Sequence, residues 1–236
     1  MAMFTSVQSS TRERLEELLA ERILVLDGAM GTMIHARQPG EEDYRGDRFR
    51  NHSKLLKNCT EVMVLTQPAL IEEIHRAYLE AGADIIETCS FNSNALSMAD
   101  FDLQDNVFEL NKAAAEIARR AVDSFNAIDP DKPRFVAGSI GPTNKTLSIS
   151  PDVNDPGFRA TTFEEMADAY YEQVDGLVQG GVDILLAETV FDPLNLKCCL
   201  YAVDRYFEDN QLQLPVMISV TIFDGGRTLT AQTLEA

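Results

Sequence analysis

The chain has 236 residues, 45% of them apolar and 25% charged, and a formal net charge of −18. That is the composition of a globular protein with room for one large α/β domain or two small ones. The acidic balance excludes nucleic acid and anionic membrane surfaces as favoured partners. No apolar run approaches the roughly 20 residues that cross a bilayer, and Met1 to Arg12 lacks the basic-then-apolar order of a signal peptide. Four cysteines in a chain of this size fit a reducing, cytoplasmic setting.

Thr11 to Arg22 reads as a helix with Leu15, Leu18 and Leu19 on one face. Ile23 to Leu26 reads as a buried strand running into Asp27-Gly28-Ala29-Met30-Gly31-Thr32. Residues 36 to 58 are polar and aperiodic, and a loop of that length in a compact domain is more often functional than idle. Pro68, suited to a first helical turn, opens a helix with Ile71, Ile74, Tyr78 and Ala81 on its apolar face, and Gly82 ends it. Ala83 to Cys89 is a strand, Asn106 to Phe125 a long helix, and Arg134 to Gly138 a strand followed by a Gly/Pro/Ser-rich loop to Pro156. Thr162-Phe163-Glu164-Glu165 is a capping box that starts a helix ending at Gly180-Gly181. Val182 to Glu188 is a strand, Pro193 to Phe207 a helix, and Pro215 to Val220 a fifth strand, turned by Asp224-Gly225-Gly226.

Continuous apolar strands alternating with helices mean a parallel sheet covered by helices. Three of the strands end in a carboxylate: Asp27, Glu87 and Glu188. Two of them share the phrase Gly-x-Asp-apolar-Glu-Thr, at Gly82 to Thr88 and Gly181 to Thr189. An acid in mid-strand would be costly to bury, whereas the carboxyl ends of strands are where an α/β barrel builds its active site. No Gly-x-Gly-x-x-Gly follows the first strand, so a dinucleotide fold lacks support. The expected fold is therefore a (β/α)8 TIM-type barrel of which residues 1–236 hold about the first five βα units, as one domain incomplete at its C-terminus.

At these residues the chain resembles the homocysteine S-methyltransferase family, and within it the homocysteine-binding module of cobalamin-dependent methionine synthase. The matching segments are Leu26 to Thr32, Ala81 to Thr88, Ala137 to Asn144, Ser148 to Pro156, Glu188 to Asp192 and Gly226 to Leu229. The Asp-Gly-Ala-Met-Gly-Thr and Glu-Thr pieces are shared across the family, and the Ser148 to Pro156 run is particular to the cobalamin-dependent enzyme. The resemblance implies a cytoplasmic enzyme that transfers a methyl group from methylcobalamin, recharged by 5-methyltetrahydrofolate on neighbouring modules, to a zinc-bound homocysteine thiolate. A free thiol with a pKa of about 8.5 is mostly protonated at neutral pH, and zinc deprotonates it. The family's three zinc cysteines fall beyond Ala236, so no zinc ligand is expected here. Cys198 and Cys199 are adjacent on a helix and diverge by about 100°, too far to meet on one ion. Cys89, near the second strand's end, and Cys59 read as fillers.

Asp27 and Glu188 match the family's acids that hold the substrate ammonium. The alternatives are that Asp27 only makes a turn with Gly28 and that Glu188 caps the following helix. Gly28, Ala29 and Gly31 form a turn whose N–H groups suit a carboxylate, or else the glycines serve a positive φ. Glu87 reads equally as site wall or structural acceptor, with Ser139 and Asn92 as weaker candidates. His35, His52 and His75 read as structural or solvent-facing, and Phe91, Phe191 and Phe223 as pocket-shaping or packing residues. The expected role is the homocysteine-binding part of a methionine synthase, inactive on its own. The alternatives are a stand-alone methyltransferase with another donor and a non-catalytic fragment. An open arc of five strands would also leave two unpaired edges and a chain that is poorly soluble, oligomeric or marginally folded.

Overall fold

The structure, a computed structural model, describes residues 8–233; residues 1–7 of the polar N-terminal stretch and residues 234–236 lie outside it. In chain order it contains α1 (Gln8–Glu21), α2 (Met30–His35), α3 (Glu41–Arg45), α4 (Met63–Thr66), α5 (Pro68–Ala81), β1 (Ile85–Glu87), α6 (Ala95–Met98), α7 (Val107–Ile128), β2 (Phe135–Ile140), α8 (Phe163–Gln179), β3 (Ile184–Val190), α9 (Pro193–Asn210) and β4 (Val216–Val220). The strands form one parallel sheet in the order β1-β2-β3-β4. No described helix is long and apolar enough to cross a membrane.

The expected first strand is where sequence and structure differ most. Residues 23 to 26 contribute a single parallel bridge, Leu26 to Ile85, rather than a ladder. Ile23 is 87% exposed and Val25 52%, so the segment is not buried. An apolar run is buried only where both faces have neighbours, and this one lies at the edge of the sheet, beside β1 alone. The aperiodic stretch from 36 to 58 also holds the short helix α3, with buried Tyr44 facing a core of Ile34, Leu56, Met63 and Ile71.

Alternation along the strands divides the core into two layers. Ile86, Val136, Leu185 and Ala187 face outward onto α5, α7, α8 and α9. Ile85, Phe135, Ala137, Ile184 and Leu186 face inward and are met by Leu15 and Leu18 of α1. Between the two sheet edges lies an open hollow of about 970 Å³, lined on one side by Leu24 and Leu26 and on the other by Val216, Met217 and Ile218. The inner face, the order of the strands and the hollow are those of a barrel arc that has not closed on itself.

The repeated phrase has a structural meaning at its Asp. Gly82 (φ 112°) and Gly181 (φ 94°) turn the chain from helix to strand in the left-handed region. Asp84 then accepts the Val25 N–H at 2.9 Å and both Arg22 guanidinium nitrogens at 2.8 Å. Asp183 does the same one unit later, accepting the Val136 N–H at 2.8 Å and Arg119. Each Asp thus clasps its own strand to the preceding segment. Arg22, more than the backbone bond, holds the Asp84 carboxyl below its ordinary pKa against the cost of burial. Asp84→Ala is expected to cost about 2–3 kcal/mol in urea unfolding at pH 7, against about 0.5 kcal/mol for Glu16→Ala at the exposed Arg12 pair. The Asp84 contribution should be present above the unfolded carboxyl pKa near 4 and fade as pH falls through its depressed folded value.

His75, on α5, is wholly buried with neither ring nitrogen hydrogen-bonded. Burial pushes its pKa down to about 4. The folded state therefore binds fewer protons than the unfolded one between about pH 4 and 6.5, and stability falls with pH in that window. His75→Met should remove that slope, making the variant relatively more stable at pH 5 than at pH 7.5 by about 1–3 kcal/mol in paired unfolding curves.

Candidate functional site

The inward positions change character at the carboxyl ends of the strands. Above Ile85 stands Glu87, above Ala137 stands Ser139, and above Leu186 stands Glu188. Asp27 follows the bridging residue Leu26. Its N–H donates to the Ile85 carbonyl at 2.9 Å, and its carboxylate accepts the Glu87 N–H at 3.1 Å. Asp27 therefore spans from the first segment to β1 and is more than a local turn with Gly28.

Glu188 is held differently. The Ser139 hydroxyl donates to it, while the Ser139 N–H donates to Thr88 Oγ1 at 2.9 Å. Thr88 meets the Ser90 hydroxyl at 2.6 Å, Ser90 donates to the Ser139 carbonyl at 2.7 Å, and Gln173 from α8 donates to the Ser90 carbonyl at 2.9 Å. This buried polar net fixes Ser139, whose hydroxyl is committed to Glu188. A bulge in β3 sets two residues, Glu188 and Thr189, between the pairs Ala187–Ile218 and Val190–Val220. Thr189 takes φ 56°, a left-handed conformation that costs a β-branched residue about 1–3 kcal/mol.

Glu188 does not cap α9; Asp192 does, accepting the Leu194 N–H at 2.9 Å. Asp192 also accepts the Ser148 N–H at 3.0 Å and hydroxyl at 2.7 Å, and Asn195 accepts the Leu147 N–H at 3.0 Å. The start of the Ser148 to Pro156 run is thereby pinned to the loop that follows Glu188. Three further residues of this region escaped the sequence reading. Asp192 had a signal, an Asp immediately before a first-turn Pro. Glu61, 3% exposed, had none; it accepts the Asn92 N–H at 3.1 Å and side-chain amide at 2.9 Å and so holds the loop after β1. Tyr78 was read only as part of an apolar helix face, yet its hydroxyl reaches the Ala29 carbonyl at 3.4 Å. Neither Gly28 nor Gly31 has a positive φ, which removes that reading of both.

The profile of the homocysteine S-methyltransferase family matches residues 24–236. The chain belongs to the homocysteine S-methyltransferase family. Its fold is similar to that of the homocysteine methyltransferase MmuM from Escherichia coli. The metallated form of that protein gives a TM-score of 0.68 at 24% identity, over 93% of this chain and 70% of that one. The oxidised form gives 0.69 at 24% identity over the same shares. The apo form gives 0.63 at 23% identity, over 92% of this chain and 66% of that one. Family membership carries methyltransferase chemistry with it, on a TIM-type barrel of which this chain forms an arc.

A zinc ion, which the family resemblance implies, does not fit the residues present. Among the described residues no group of three or more His, Cys, Asp or Glu side chains is placed to hold a metal. All four cysteines are buried and free. Burial pushes the thiols of Cys59, Cys198 and Cys199 up to about 12 and that of Cys89 upward as well, the opposite of a ligand-ready thiolate. Cys198 and Cys199 lie within α9, as their spacing implies.

The three acids carry the electrostatics of this methyltransferase site. Burial, then Glu188, then Asp27 push the Glu87 carboxyl up to about 8. Burial, with a smaller contribution from Glu188, takes Asp27 to about 7 against its backbone bond to Glu87. Burial also raises Glu188, partly offset by the Ser139 hydroxyl. A raised folded pKa means the folded state holds protons the unfolded chain has released, so stability is lost as pH climbs from about 4.5 towards 8. Glu87→Gln should remove most of that loss and leave the protein about 1–3 kcal/mol more stable than the parent at pH 8 but little changed at pH 5. An unfolding series across that range measures it; equal slopes for the two proteins would contradict the burial of Glu87.

Proposed function

We propose that the chain binds homocysteine by its amino-acid end, as part of a protein that methylates the homocysteine sulfur. One observation carries this reading. Asp27, Glu87 and Glu188 converge at the strand ends, and among the described residues no Lys, Arg or His pairs with any of them. A buried anionic cluster without a cation is costly, and a ligand ammonium relieves that cost. Asp27 and Glu188 take the ammonium, Glu87 walls the site, and the amides of the Gly28–Ala29 turn face the carboxylate. Ser139 acts by orienting Glu188.

The finer assignment is the homocysteine module of a cobalamin-dependent methionine synthase. The Ser148 to Pro156 run supports it, and folate- and cobalamin-binding modules are then the partners, with methylcobalamin the donor. Because the described residues supply no zinc site, sulfur activation is not assigned to them. The rival reading, a stand-alone enzyme with a different donor, draws on the likeness to the E. coli homocysteine methyltransferase.

Calorimetric titration of the chain tests the first reading. Homocysteine and 2-aminobutyrate, which lacks the sulfur, should bind within about threefold of each other, since only the amino-acid end is gripped. Affinity should rise from pH 6 to 8 as the acids lose their protons. Asp27→Asn and Glu188→Gln should each weaken binding about 10- to 100-fold, the worth of a charge-assisted hydrogen bond. Binding of neither amino acid would sink the proposal, and stoichiometric zinc uptake with homocysteine methylation by this chain would overturn the division of the site.

A further inference from the structure

The turn from Asp27 to Ala29 stands on a segment that joins the sheet through one bridge. Tyr78 reaches it from α5. The side chains of a helix lean towards its N-terminus, which carries the Tyr78 ring from the last turns of α5 up towards the strand ends. A Cβ built on Gly28 would lie 3.2 Å from the Tyr78 hydroxyl oxygen and 3.3 Å from Cε1. Gly28 has no positive φ, so the glycine answers to the ring and not to the backbone. The hydroxyl donates to the Ala29 carbonyl at 3.4 Å. Burial, then Asp27 and Glu87, push the phenol upward, so the hydroxyl lies within the field of both acids.

We propose that Tyr78 is a positioning residue of the acid cluster: its ring closes over Gly28 and its hydroxyl holds the Ala29 carbonyl, setting the Asp27 carboxylate beside Glu87. Packing alone would be served by Phe as well as by Tyr, so the hydroxyl is the atom on which the proposal turns. Its binding readout rests on the homocysteine reading above, whereas the placement of Asp27 does not.

The test compares the full chain with Tyr78→Phe, Gly28→Ala and the double variant. Three measurements are made: urea unfolding, the carboxyl-carbon NMR titration of Asp27, and homocysteine calorimetry. Tyr78→Phe should unfold within about 10% of the parent midpoint, the spread such curves carry. It should also lower the Asp27 titration midpoint by about half a unit or more, as water enters beside the carboxyl. Homocysteine binding should weaken about 3- to 10-fold. Gly28→Ala should produce a similar loss, and the two losses should combine to less than their sum. An unmoved Asp27 midpoint in Tyr78→Phe overturns the proposal, with or without a fall in stability, and so do strictly additive losses. If the parent fails to bind homocysteine while Tyr78→Phe still moves the Asp27 midpoint, the positioning role stands and the homocysteine reading falls.

Discussion

Asp27 serves the site only while the segment that carries it stays beside β1, and one carboxylate at the opposite end of that strand keeps it there. Burial cannot do this work, because Ile23 and Val25 are mostly in solvent. The backbone contribution is small too, a single bridge at Leu26. Asp84 supplies the rest by accepting the Val25 N–H and a bidentate Arg22. Its side chain is 1% exposed, so it would be expensive if unpaired, and the fork of Arg22 is the geometry that offsets such a cost. The position of the candidate site is therefore set about one strand length below it.

Glu87 lies three residues beyond Asp84 on the same short strand, and the two carboxyls are pushed in opposite directions. Asp84 has an arginine and a backbone donor and sits below its ordinary pKa. Glu87 has neither, faces two other acids, and sits at about 8. The Gly-x-Asp-apolar-Glu-Thr phrase thus joins two kinds of acid: a clasp that is paired inside the protein, and an end group left unpaired. Asp183 and Glu188 repeat the division, with Arg119 on the first and only the Ser139 hydroxyl on the second. An acid that is buried, charged by demand and denied a partner is a standing cost to the fold, and such costs concentrate where a ligand compensates them.

The parts of the structure that follow from local pattern were legible in the residues. Apolar runs between helices fixed the parallel strands β1 to β4, Thr162 to Glu165 forms the reciprocal cap at the start of α8, and the acids do stand at strand ends. What escaped depends on partners distant in sequence. Arg22 and Asp84 are separated by 62 residues, Arg119 and Asp183 by 64, Tyr78 and Ala29 by 49. Nothing within a window of ten residues distinguishes an Asp that clasps a neighbour from one that meets solvent. The first strand was misjudged for the same reason: Ile23 to Leu26 has the composition of a buried strand, but burial belongs to the neighbours a segment acquires.

Homocysteine has a charged end and a sulfur end, and the arc treats them unequally. The acids crown the part of the inner face that is already walled by β1, β2 and β3, where Ile85, Ala137 and Leu186 form an apolar floor beneath them. Beyond β4 the inner surface opens into the hollow lined by Met217 and Ile218, which carries none of the three acids. Apolar surface at two free parallel edges is what the remaining strands of a closed barrel cover. The charged end of an amino acid can be gripped without those strands, because a carboxylate cluster needs only a rigid backbone and exclusion of water on one side. Thiol activation is more demanding, since a tetrahedral metal site requires several ligands converging on one point. The physical division between the two ends of the substrate therefore coincides with the division between the walled and the open sides of this sheet.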